Sequence, residues 1–147
     1  MDETILRNTI FPTLKRAINF YIPFLEKDEQ GILHLKETYS PEYGSAKDCN
    51  YDIALLRWGC QTLLKASQIL SIKDNLIPKW QEIIEKLTDY PQDENGMMIG
   101  KDMPFSKSHR HYSHLLMFYP LYLLNIEQNE NKAVSYTHLT LPTICSV

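Results

Sequence analysis

Histidines, an arginine and hydroxyl side chains crowd the stretch SKSHRHYSHLLMFYP, Ser106 to Pro120. Three chemistries are open to such a mixture. His109, His111 and His114 form an HxH pair with a third histidine three residues on, a donor set that could hold zinc. On a helix His109 and His111 would point roughly 200° apart, so that reading needs both on an extended loop. His111 and His114 could share a helical face, but no neighbouring cysteine or acid completes a familiar metal signature. A hydroxyl nucleophile at Ser106, Ser108 or Ser113 lacks the GxSxG elbow that would expose it. The third chemistry is recognition of a polyhydroxylated ligand. Imidazole and guanidinium groups offer fixed donors to sugar hydroxyls, and Tyr112 offers a stacking face. His114 reads first as a structural histidine that satisfies backbone groups around the loop.

A second candidate, Glu42, lies in YSPEYG. Pro41 stiffens the backbone before it and Gly44 permits a sharp exit, so the carboxylate is held on a constrained loop. Tyr39 and Tyr43 flank it, and an aromatic wall raises a carboxyl pKa by desolvation, as a general acid requires. On its residues alone, Glu42 reads as an exposed loop glutamate before it reads as an acid.

Helices must carry these loops. Leu6, Ile10, Leu14, Ala17, Tyr21 and Leu25 recur at the spacing of one helical face, with a kink or broken ladder expected at Pro12. Ile53, Leu56, Cys60, Leu63, Ser67 and Leu70 predict a second helix, with Asp48 or Asn50 as its N-cap. Trp80, Ile84 and Leu87 predict a third that starts near Pro78. His111, Leu115, Phe118 and Tyr122 predict a fourth, interrupted by Pro120. The segments DEQGILHL from Asp28 and DENGMMIG from Asp93 echo one another. Each follows a predicted helix, turns at a glycine, offers a few strand-like residues and then enters a polar loop. A repeated helix-pair unit marks an α-solenoid or α/α toroid, and it would set the Glu42 and histidine loops on one rim.

At 147 residues the chain has the size of one domain. A net charge of −3 gives no basic footprint for nucleic acid. No stretch approaches the ~20 apolar residues of a membrane span. Cys49, Cys60 and Cys145 are odd in number and show no paired CxxC spacing, so neither a disulfide framework nor a zinc knuckle is expected. No cofactor is implied, and no targeting segment is visible at the acidic N-terminus. After Lys132 the composition changes: AVSYTHLTLPTICSV contains no charged side chain. VSYTHLTLPT, Val134 to Thr143, resembles a translated sequencing adapter. We therefore expect residues 1–133 to be native and 134–147 to be a foreign tail, in which case His138 and Cys145 carry no function. An independent genomic clone encoding YTHLTLPT in frame would refute this.

SHRHYSHLLMFYP also resembles the HRHxSHLxxxYP segment of glycoside hydrolase family 95, the α-L-fucosidase and α-L-galactosidase family, and SPEY resembles its SPEN segment. The similarity runs from about Glu3 to about Asn131. It implies an all-α fold, a partial (α/α)6 barrel of the six-hairpin type with about four helices present. It also implies an exo-acting, inverting hydrolase of terminal fucose-like sugars on glycans, secreted or periplasmic. Glu42 would be the general acid, Arg110 and His111 would bind the sugar, and His109 and His114 would support the substrate loop. An inverting enzyme needs a second carboxylate ~6.5–9.5 Å away to activate water; in the family it lies further along the chain, helped by asparagines upstream. Neither of those segments occurs here, and Asp48, Asp52 and Asp102 do not replace them. Tyr43 stands where the family has asparagine, which bears on sugar specificity. Two other classes stay open: a metal-dependent hydrolase using the histidines, and a non-catalytic α-helical carbohydrate-binding or scaffold module.

Overall fold

A computed structural model describes residues 2–125; the expected foreign tail at 134–147 lies outside the described residues. The chain begins with α1 (Glu3–Ile5), a single turn capped by Asp2, whose carboxylate accepts from the Thr4 and Ile5 amides. A π-helical stretch, Leu6–Ile10, and α2 (Phe11–Tyr21) continue it as one rod. Pro12 accounts for the wider turn. It has no N–H to donate and its ring crowds the carbonyl one turn back, so the ladder changes register just before it. This shift alters the buried face. Phe11, five residues after Leu6, is 7% exposed, whereas Ile10, which the spacing assigned to the core, is 44% exposed. Ile18 resumes the buried stripe.

α3 (Asn50–Ile69) buries the whole stripe read from the sequence, from Ile53 to Leu70. α4 (Ile77–Lys86) starts with Pro78 in its first turn and buries Trp80 and Ile83. α3 packs against both α2 and α4. Ile18 of α2 lies so close over Gly59 that a Cβ there would stand 2.1 Å from its Cδ1. Phe11 meets the Trp80 ring edge-on at 6.3 Å, tying α2 to α4. Each fully buried aliphatic chain such as Ile53, Leu63 or Ile83 contributes about 1.5–3 kcal/mol, so this three-helix junction is the rigid base for the loops.

The linkers between helices form strands. β1 (Leu25–Lys27) pairs antiparallel with β2 (Leu33–Leu35), and β3 (Thr38–Ser40) with β4 (Gly44–Ala46). After α4, β5 (Gln92–Asp93) pairs with β6 (Gly96–Met97). The two echoing segments are therefore hairpin turns. Asp28 accepts from the Ile32 amide at 2.7 Å and Asp93 from the Asn95 amide at 2.8 Å. Their glycines, Gly31 and Gly96, take positive φ, which glycine alone adopts without strain.

The all-α reading is corrected by these hairpins. Residues 2–125 form three helical rods and three two-stranded antiparallel sheets, not four helices of a partial (α/α)6 barrel. The reason is local: Leu33 and Leu35 alternate with His34 at the two-residue period of a half-buried strand. The fourth predicted helix is also absent. Ser113–Leu115 makes one 3-10 turn and the chain then continues in turns through Leu121. Pro120 removes the donor that would extend a helix and disfavours helical backbone before it; Leu115, Met117 and Phe118 are buried all the same. The predicted N-caps of α3 fail too. Cys49 holds that position, while the Asn50 side-chain amide donates to the Pro91 and Met98 carbonyls at 2.8 and 2.7 Å. Asn50 thereby fastens the β5–β6 hairpin to the start of α3. No helix among the described residues is long and apolar enough to cross a membrane.

Candidate functional site

Ser40, Pro41, Glu42 and Tyr43 make the tip of the β3–β4 hairpin, closed by the Tyr43 amide on the Ser40 carbonyl at 3.0 Å. Proline at the second position and positive φ at the third (Glu42, +55°) is the pattern of a type II turn. That third position ordinarily takes glycine or asparagine. A glutamate held in left-handed backbone is the kind of local strain that clusters at functional sites.

Sixty residues on, the loop after β6 returns to this tip. Lys101 donates its amide to the Lys47 carbonyl at 2.8 Å, so the second loop enters beside the end of β4. Arg110 then grips Glu42 in a two-pronged fork, Nε to Oε2 at 2.8 Å and a terminal guanidinium nitrogen to Oε1 at 2.6 Å. His111 Nε2 lies 3.3 Å from Oε2. His109 reaches the Pro41 carbonyl at 3.0 Å, and its ring meets that of His111 at 5.4 Å. The Ser40 and Ser113 hydroxyls are 3.1 Å apart and buried beneath. Glu42, His109, Arg110 and His111 are thus brought together, as the shared-rim reading expected. Strand turns bring them there, not stacked helix pairs.

His114 stands apart. It is 0% exposed, its ring stacks on Phe105 at 4.4 Å, and neither ring nitrogen has a hydrogen-bond partner among the described residues. Burial, with a smaller contribution from His109, pushes its pKa down to about 4. It is a neutral core histidine that supports the loop from behind, and it satisfies no backbone group there. Tyr112 is exposed, free to offer a face to solvent.

The electrostatics of Glu42 go against the raised pKa that flanking tyrosines suggested and agree with its reading as an exposed loop glutamate. Tyr39 is 60% exposed and walls nothing off. The Arg110 guanidinium, followed by His111 and His109, holds the carboxyl below its usual range. Among the described residues no three His, Cys, Asp or Glu side chains gather as a metal site. Asp48 is occupied by the Leu35 amide at 2.7 Å and His34 at 2.8 Å, and Asp52 by the Thr38 hydroxyl at 2.5 Å.

The sequence over residues 1–140 matches the glycosyl hydrolase family 95 catalytic domain. The chain belongs to that family. It is also similar to alpha-L-fucosidase 2 of Arabidopsis thaliana, with 28% identity over 153 residues that cover 93% of this chain and 18% of that protein. The chain therefore spans less than a fifth of this relative's length. Within the family 95 chain, sequence reasoning missed the part played by Tyr43, whose hydroxyl meets Pro104, Ser106 and Lys107. Contacts across more than sixty residues leave no spacing signal. The aromatic side chain beside the acidic one was the only trace.

Proposed function

We propose that the family 95 chain is part of an inverting, exo-acting glycoside hydrolase that removes terminal α-L-fucosyl or α-L-galactosyl residues from glycans. Glu42 protonates the departing glycosidic oxygen, and Arg110 and His111 bind the sugar. The observation that carries this reading is the convergence of one carboxylate, one guanidinium and one imidazole at the tip of a hairpin. Those groups match what acid-assisted cleavage and hydroxyl recognition need.

The fork imposes an order of events. While Arg110 holds both carboxylate oxygens, Glu42 is ionised and is no acid. The pair is largely solvent-exposed, with side chains 72% and 52% accessible, so it is screened and readily broken. A sugar hydroxyl that takes over one prong of the guanidinium releases an oxygen of Glu42 and lets its pKa rise where a proton is needed. The water-activating carboxylate of an inverting site is then supplied from elsewhere in the whole protein, since Asp48 and Asp52 are engaged in the fold.

The test is to incubate the full-length protein with terminal α-L-fucosyl and α-L-galactosyl oligosaccharides and follow the anomeric protons by NMR. The β-anomer should appear first. Release of the α-anomer first would overturn inversion, and release of neither sugar would overturn the hydrolase reading. Turnover abolished by a chelator and restored by zinc would favour the metal-dependent alternative.

A further inference from the structure

Arg110 and His111 sit on a loop with no regular structure of their own, yet Arg110 hydrogen-bonds a carboxylate 68 residues away and His111 lies 3.3 Å from it. Something must fix that loop. We infer that Tyr43 is the positioning residue of the site: it clamps the 104–107 segment to the hairpin tip and so sets where Arg110 and His111 stand relative to Glu42. This deepens the glycosidase reading and rests on it.

Three observations carry the inference. The Tyr43 hydroxyl accepts from the Ser106 amide at 2.8 Å and the Lys107 amide at 3.3 Å, and it donates to the Pro104 carbonyl at 3.2 Å. One donor and two acceptor sites are the full capacity of a phenol, and all are spent on one segment of the opposite loop. The ring provides a second anchor. It stacks on Phe105 at 5.7 Å, and Phe105 stacks in turn on the buried His114 at 4.4 Å. The column Tyr43–Phe105–His114 runs from the hairpin tip into the core. The third observation is reach. Arg110 is only three residues beyond Lys107, and three residues span at most ~10 Å even when extended. A backbone pinned at Lys107, with His109 held on the Pro41 carbonyl at 3.0 Å, keeps the Arg110 backbone within side-chain reach of Glu42.

A positioning role separates from a merely structural one because Ser106 and Lys107 are exposed. If the phenol oxygen is removed, water can satisfy both amides, so stability changes little while the loop gains freedom.

The experiment compares Tyr43→Phe with Tyr51→Phe in the full-length protein. The second variant removes a hydroxyl that also bonds the hairpin, at the Tyr39 carbonyl, but does not touch the second loop. In Tyr43→Phe, kcat/KM on a terminal α-L-fucoside should fall roughly 10- to 100-fold, the range that a displacement of about 1 Å costs an oriented site. The thermal midpoint should stay near that of the parent. The alkaline limb of kcat/KM should move up as Glu42 loses its cationic partner. Hydrogen exchange at the Ser106 and Lys107 amides should accelerate. Tyr51→Phe should show none of these changes. The inference is overturned by parent-like exchange at those two amides, by an unmoved alkaline limb, or by equal losses in both variants. If the parent itself releases no sugar, the glycosidase reading fails, and exchange at the two amides alone decides whether the clamp exists.

Discussion

Glu42→Gln in the full-length protein should lower turnover of glycosides with poor leaving groups by roughly 100- to 10,000-fold, the span of general acid catalysis, and leave substrate binding nearly intact. Glutamine keeps the length and shape of the side chain, and its carbonyl oxygen can still accept one prong of Arg110, so the hairpin tip, Arg110 and His111 stay in place. It cannot deliver a proton. The deficit should therefore follow the leaving group. An alkyl or sugar alcohol departs only when protonated, whereas an activated aryl alcohol departs without help, so aryl glycosides should lose far less. Steady-state kinetics on a matched pair of substrates read this directly. Equal losses on both would mean that Glu42 serves the architecture of the turn, whose positive φ already demands something of that residue.

The site was legible in residue types and not in geometry. HRHYSH and SPEY named the participants, because imidazole, guanidinium and carboxylate announce their chemistry wherever they stand. Their convergence on one rim was suggested by the echo of the two glycine turns, but the contacts that make it were not written in any spacing. It depends on Asn50 bonding the β5–β6 hairpin to α3 and on Tyr43 bonding one loop to another, contacts between residues 41 to 64 positions apart. The partner that sets the charge of Glu42 was hidden for the same reason. Neighbours in sequence suggested aromatic desolvation, but its real neighbour is Arg110.

The fold divides along a similar line. α3 was plain in its stripe because nothing interrupts the 3.6-residue period from Ile53 to Leu70. In the first rod the π-turn before Pro12 slips the period by one residue, and no count of apolar positions at fixed spacing follows such a slip. A few strand-like residues showed after each glycine turn, but elements of two or three residues hold only one or two turns of a two-residue pattern, and glycine turns occur after helices as well as within hairpins.

His114 carries the second large effect, on stability. Its pKa lies near 4 in the folded chain against an ordinary 6.5. Between those values the unfolded chain binds a proton that the folded chain refuses, so stability is complete above about pH 6.5 and drains away as pH falls toward 4. At about 1.4 kcal/mol per pKa unit, the loss is on the order of 3 kcal/mol, a large part of the 5–15 kcal/mol that holds a typical domain. His109 adds a smaller electrostatic contribution in the same direction. Asp52 works the other way, since burial raises its pKa and the folded chain then takes up a proton more readily than the unfolded one. Carboxylates held low, such as Asp74 and Glu82, begin to lose their contribution at the bottom of this window and lose most of it below. A difference measurement removes these backgrounds. Unfolding free energies of the chain and of His114→Leu, taken by denaturant at pH 7 and pH 4.5, should diverge in their pH dependence. The parent should weaken steeply and the variant should not, because leucine fills much of the space without a nitrogen to protonate. With no protein partner on either ring nitrogen among the described residues, the substitution strands no hydrogen-bonding group. Parallel acid slopes in the two proteins would mean that His114 already takes up its proton in the folded state, and the neutral core histidine behind Phe105 would have to be abandoned.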